Sequence, residues 1–182
     1  MNEAADEATL IFLKHSREKL IAQFWPRLRS CVASLSEEQV WWRPNASSNS
    51  IGNLILHLNG NVTQWLIAPF NRLADERDRP AEFNRREGIM RDALLNTLAG
   101  TMEKSSVTLA RLTPADLLEH FDIQGYRVTG LEAVYQVVEH FALHYGQIAF
   151  MTKMLRDEDL GFYRELNATG RRPASSPGRV TP

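Results

Sequence analysis

Apolar residues return at helical spacing from Ala8 to about Leu35, where Leu10, Leu13, Leu20, Ile21, Phe24, Leu28, Cys31, Val32 and Leu35 fall on one stripe of a 3.6-residue wheel. Pro26 lies inside this stripe and predicts a kink or break near Trp25. Ser36-Glu37-Glu38-Gln39 reads as a helix start, with Ser36 as the cap and Gln39 three residues on. That short helix runs into Trp41-Trp42-Arg43-Pro44, where Pro44 pushes Arg43 out of helical geometry. Ser50 caps the next helix, which runs from Ile51 to about Ile67, is apolar on most sides, and ends at Pro69. Residues 71–86 are rich in charge and poor in apolar side chains, so they read as a long connection.

A third helix is expected from about Glu87 to Leu112, carrying Met90, Leu94, Leu98, Met102, Val107, Leu109 and Leu112, with Gly100 as a weak point. Thr113-Pro114-Ala115-Asp116 is another helix start, good for one or two turns to about Glu119. The stretch from Phe121 to Gly130 reads as extended or irregular, and Thr129 then caps a last long helix from Leu131 to about Arg156. Residues 166–182 lack apolar content and are expected to be a disordered tail behind a single domain of residues 1–165. Four long helices and nothing that reads as a sheet predict an all-α helical bundle.

Composition narrows the function classes. The chain has 182 residues, 43% hydrophobic and 24% charged, with a formal net charge of -1. That balance gives no general field to attract phosphate backbones, so no nucleic-acid partner is expected. A single cysteine, Cys31, excludes an internal disulfide and any CxxC site, and its place on the first apolar stripe marks it as a core filler. The acidic start Met1-Asn2-Glu3-Ala4-Ala5-Asp6-Glu7 is unlike a signal peptide, and no run is long enough to span a membrane. The expected location is the cytoplasm.

The histidines carry the candidate chemistry. His15 lies nearly opposite the first stripe and reads as a surface residue, while His120 follows a short helix, where it would act as a cationic helix end. His140 and His144, four apart, share one helix face on the flank of the apolar stripe, which is the bite a single metal ion needs. His57 lies in a polar stripe, Asn53, His57, Asn61, on an otherwise apolar helix. Such a stripe either faces solvent or finds partners inside the fold. In the second case three imidazoles meet across the bundle and leave a coordination position open, as in catalytic rather than structural sites. Gln147 and Asn61 are candidates to orient the ligands, or ordinary helix-surface amides. No Glu-x-x-His motif is present, which removes the di-iron class, and HExxH, GxSxG, Walker and GxGxxG signatures are missing too.

The order of motifs resembles the DinB-like superfamily of metalloenzymes, which includes the YfiT-like proteins. The resemblance rests on Leu35 to Pro44 after the first helix and on Ser50-Ile51-Gly52-Asn53-Leu54-Ile55-Leu56-His57-Leu58 at the start of the second. It continues in Thr129-Gly130 and in Glu139 to Ile148, which is similar to the family's HxxxHxxQ ending. What it implies is an up-down-down-up four-helix bundle, often a homodimer, with one divalent metal ion on His57, His140 and His144. Zn²⁺ and Ni²⁺ suit such nitrogen ligands. Members with known activity are thiol-dependent transferases and isomerases, so the implied function is a low-molecular-weight-thiol S-transferase acting on a small electrophile. A metal-dependent hydrolase would use the same site, and a non-enzymatic stress-related binding bundle is the remaining alternative.

Overall fold

A computed structural model describes residues 3–170. Helix α1 is continuous but built in three pieces: α-helical Glu3–Arg17, π-helical Glu18–Phe24 and α-helical Trp25–Ala33. Pro26 does not break it. A proline has no N–H and its ring presses on the carbonyl four residues back, here Ala22. The chain answers by widening to i→i−5 bonding, and the Trp25 N–H reaches the Leu20 carbonyl. Helix α3 repeats the device. Ile51–Val62 continues through π-helical Thr63–Ile67 into Ala68–Phe70, with the Ala68 N–H bonded to the Thr63 carbonyl, and the helix ends one residue past Pro69, as expected.

Between these two lies α2, Glu37–Trp41, started by the expected Ser36/Gln39 capping box. Ser50 caps α3 in the same way, with Asn53 completing the box. The charged connection is not all loop. Asp78 accepts a hydrogen bond from the Ala81 N–H and opens a short helix α4, Arg79–Asn84, with a proline in its first turn. Helix α5 covers Arg91–Arg111, α6 covers Pro114–Leu118, α7 covers Gly130–Arg156, and α8 covers Arg164–Thr169. The tail expected from residue 166 therefore begins inside α8, and its residues 171–182 lie outside the described residues.

The expectation that no part forms a sheet is corrected by an antiparallel hairpin, β1 His120–Ile123 and β2 Tyr126–Thr129. Gln124 and Gly125 turn it with φ of 53° and 82°, the paired positive values of a tight two-residue hairpin. Phe121 and Ile123 point inward and alternate with exposed His120 and Asp122, a period of two too short to stand out in the sequence.

The molecule is mostly helical. α1 packs against α5 and α7, and α3 packs against the same two helices. Leu20, Leu28, Leu58, Leu66, Leu98, Met102 and Phe141 are fully or almost fully buried where they meet. Cys31 joins this core, and its burial pushes the thiol up to about 11. Three members of the expected stripes face outward instead: Leu10 is 58% exposed, and Met90 and Val107 are exposed as well. Among the described residues no helix is long and apolar enough to cross a membrane.

Candidate metal centre

Helix α3 presents His57 to α7 at the level of His140 and His144. His57 Nε2 stands 2.8 Å from His140 Nε2, which stands 3.1 Å from His144 Nε2. The three rings meet edge to face, with centroids 4.4–5.0 Å apart. His57 is 4% exposed, whereas His140 and His144 are half-buried, so the cluster has a sealed side and a reachable one. The three histidines lie close enough together to hold a metal ion, and they are the one such group among the described residues.

The protons on the three rings are set by what each Nδ1 touches. His57 Nδ1 lies 2.9 Å from Glu82 Oε2, and His144 Nδ1 lies 2.8 Å from Gln147 Oε1. An oxygen acceptor at Nδ1 places the proton there and leaves Nε2 as a lone pair. Both lone pairs then face His140 Nε2, which carries at most one proton and can donate to one neighbour only. A divalent cation held by the three Nε2 atoms resolves the conflict for all of them. Nitrogens about 2.0–2.1 Å from a tetrahedral zinc ion stand about 3.3 Å apart, a small widening of the spacing seen here.

Glu82 reaches His57 from α4, and its carboxylate is itself clamped. Arg77 Nε donates to Oε1 at 2.7 Å and Nη2 to Oε2 at 2.8 Å, a two-pronged pairing. Arg77 Nη1 donates to Gln64 Oε1 at 2.8 Å, and Gln64 Nε2 donates to Asp75 Oδ2 at 2.6 Å. Arg77 Nη2 also lies 2.9 Å from His57 Nδ1, so guanidinium and carboxylate compete for that nitrogen. With Nε2 as the ligating atom, His57 would keep its proton on Nδ1 and with it the bond to Glu82. Burial pushes the Glu82 carboxyl up. Hydrogen bonds from Arg77 and His57, and their charges, outweigh this and hold it below the usual carboxylate range.

Two residues of α3 let α4 dock so closely. Gly60 is the seat of the Arg77–Glu82 pair, because a Cβ there would run into Glu82 Oε1 and stand 2.8 Å from Arg77 Nε. Asn53 is fully buried. Its Oδ1 accepts from the Ser50 hydroxyl and from Arg43 Nη2, and its Nδ2 donates to the Glu82 and Arg85 carbonyls at 2.7 and 2.9 Å. The Phe83 ring packs on His57 with centroids 4.7 Å apart.

Burial, then the neighbouring charge of His144 and His57, lowers His140 to about 4, and burial likewise lowers His144. Both rings are thus neutral at physiological pH, the form that ligates metal. Gln147 is bonded to His144 as described, but Asn61 is not bonded to His57. It is buried at 3% exposure, and its Oδ1 has no hydrogen-bond partner among the described residues. His15 is half-buried in α1 and His120 is exposed in β1, and neither joins the cluster. Sequence reasoning missed Glu82 and Arg77. Asp78 and Pro80 were a readable signal for α4, but nothing local tied Glu82 to a histidine 25 positions earlier.

Fold and site together define a mostly helical protein with a three-histidine cluster of metal-binding geometry. The chain belongs to the family described as "Protein of unknown function (DUF1572)", whose sequence profile matches residues 8–165. Among solved structures it is similar to a conserved protein from Enterococcus faecalis, with a TM-score of 0.66 and 15% sequence identity. That match covers 79% of this chain and 96% of the other, and at such identity the likeness is one of fold. No curated protein matches the chain.

Proposed function

We propose that this protein is a DinB-like metalloenzyme, an up-down-down-up four-helix bundle in which His57, His140 and His144 hold one divalent cation, Zn²⁺ or Ni²⁺. The neighbour relations of α1, α3, α5 and α7 support the arrangement of the bundle. The observation that carries the site is the convergence of three Nε2 atoms, two of them turned inward by acceptors at Nδ1. A cation there supplies Lewis acidity that favours thiolate over thiol. The protein's own groups do the rest. Glu82 and Gln147 keep the Nδ1 protons of His57 and His144, which holds both rings in the ligating tautomer. Phe83 and α3 cover the His57 side and exclude water, and the half-buried α7 side admits a small molecule. We assign the reaction to a low-molecular-weight-thiol S-transferase acting on a small electrophile. The reading includes a homodimer, supported by Leu131, Tyr135, Leu143, Phe150 and Met154 exposed along the outer side of α7.

Metal analysis of protein purified without a histidine tag is expected to find close to one equivalent of Zn or Ni, and less than about a tenth overturns the reading. His144→Ala is expected to lose the metal while far-ultraviolet circular dichroism stays unchanged. Light scattering on the same sample is expected at twice the 20.7 kDa chain mass. A screen of thiols against electrophiles, with and without chelator, then tests the reaction. Turnover that survives chelation would sink the metal-dependent assignment.

A further inference from the structure

A second concave site has no histidine in its walls. Where α2 faces residues 86–90, ahead of α5, a cavity of about 520 Å³ is walled by Trp41, Trp42, Ile89 and Met90, with Glu37, Glu38 and Glu87 among them. Its two sides are tied together. Trp41 Nε1 donates to the Ile89 carbonyl at 3.1 Å, and Glu37 Oε2 accepts the Arg91 N–H at 2.8 Å. The Trp41 ring also lies against Gly52, where a Cβ would stand 2.9 Å from two ring carbons, so the indole is held from behind. The Ser36/Gln39 capping box fixes the start of α2 itself. The cavity is thus built into the fold, and its volume is that of a small-molecule site.

The groups left unspent in it share one character. Trp42 and Met90 are large apolar side chains exposed to water. Glu38 and Glu87 are exposed and make no hydrogen bond or ion pair among the described residues. Arg86, the cation of this wall, is turned onto the Phe83 and Arg85 carbonyls at 2.8 and 3.2 Å, and three carboxylates outnumber it. That surplus repels an anion, and it gives a neutral molecule no advantage. Indole is the aromatic ring that attracts a cation best, and a carboxylate nearby adds to the attraction. We propose that this cavity binds a small organic cation, an alkylated ammonium ion, with its alkyl groups on Trp41 and Trp42 and its charge balanced by Glu38 and Glu87. Alkyl groups cover the apolar walls that a hydrated metal ion would leave wet. The cavity shares no side chain with the three-histidine centre, so the proposal stands or falls by itself.

Choline is titrated into the purified full chain beside its neutral isostere, 3,3-dimethylbutan-1-ol, with binding followed by calorimetry and by tryptophan fluorescence. Choline is expected to bind about tenfold tighter than the alcohol, the ratio that indole faces and exposed carboxylates give together. Trp42→Leu keeps apolar bulk and loses the ring face, so it is expected to weaken choline about fivefold and leave the alcohol within about twofold. Glu38→Gln combined with Glu87→Gln is expected to weaken choline about threefold and to make its affinity insensitive to salt. All three side chains are exposed, and unchanged circular dichroism and melting temperature confirm that the variants fold. Equal affinity for choline and the alcohol overturns the proposal, as does a wild type that shows no saturable choline binding. Choline affinity unchanged in either variant overturns it too, because the cation then sits elsewhere on the protein.

Discussion

At the scale of single residues, the site turns on where one proton sits. His57 can ligate through Nε2 only if Nδ1 keeps its hydrogen, and the Glu82 carboxylate, clamped by Arg77, is the acceptor that keeps it there. Glu82→Gln preserves the shape and removes the charge, so metal affinity measured by chelator competition is expected to fall roughly 10- to 100-fold. Gly60→Ala should act at the same point from the other side, since its Cβ would occupy the space of the carboxylate. Alanine favours a helix over glycine by about 1 kcal/mol, so this variant is expected to bind metal more weakly with little change in melting temperature. Unaltered affinity in both variants would remove Glu82 from any role at the histidines.

At the scale of elements, the question is what holds α4 against α3. Asn53 does so through backbone carbonyls, and it also completes the Ser50 capping box. Asn53→Ala takes the donor from the Glu82 carbonyl and the acceptor from the Ser50 hydroxyl, and buried polar groups left without partners cost about 1–3 kcal/mol each. Urea unfolding is therefore expected to show a loss of about 2–4 kcal/mol, with weaker metal binding as α4 loosens. Ser50→Ala is the comparison, since losing a cap alone costs about 1 kcal/mol. If the two variants are equally stable, Asn53 is a helix cap and no tether. The π segments belong to this scale too. Each sits just ahead of a proline, and the first lets α1 run on past Pro26 where a kink or break was expected.

At the scale of the whole molecule, the buried neutral histidines couple the fold to pH. His140 falls from an ordinary 6.5 to about 4, and His144 moves the same way. Between those values the unfolded chain binds more protons than the folded one, so stability rises with pH across the window. Read downward, stability at pH 7 is lost from about 6.5 and the loss is complete below about 4. Urea midpoints of metal-free protein are expected to drop between pH 7 and pH 5, and His140→Gln to flatten the slope. A wild-type midpoint that stays level over that range contradicts the burial of neutral rings.

What the sequence alone determined lies within a few residues of itself. The starts at Ser36, Ser50, Thr113 and Thr129 were legible because a cap is made by a side chain and the backbone within one turn of it; Ser36 read as a full capping box, and the structure completes one at the other three as well. The pairing of His140 with His144 was legible because one helical turn enforces it, and the burial of Cys31 because an apolar stripe must face a core. Tertiary structure decided the rest. His57 lies 83 positions from His140, and no local window says which turns of α3 and α7 stand level. Glu82 and Arg77 read as solvated charge in a connection, and only the notch at Gly60 and the tether at Asn53 turn them inward. Local hydrogen bonds are set by spacing along the chain, whereas the meeting of three imidazoles is set by how side chains on distant helices interlock.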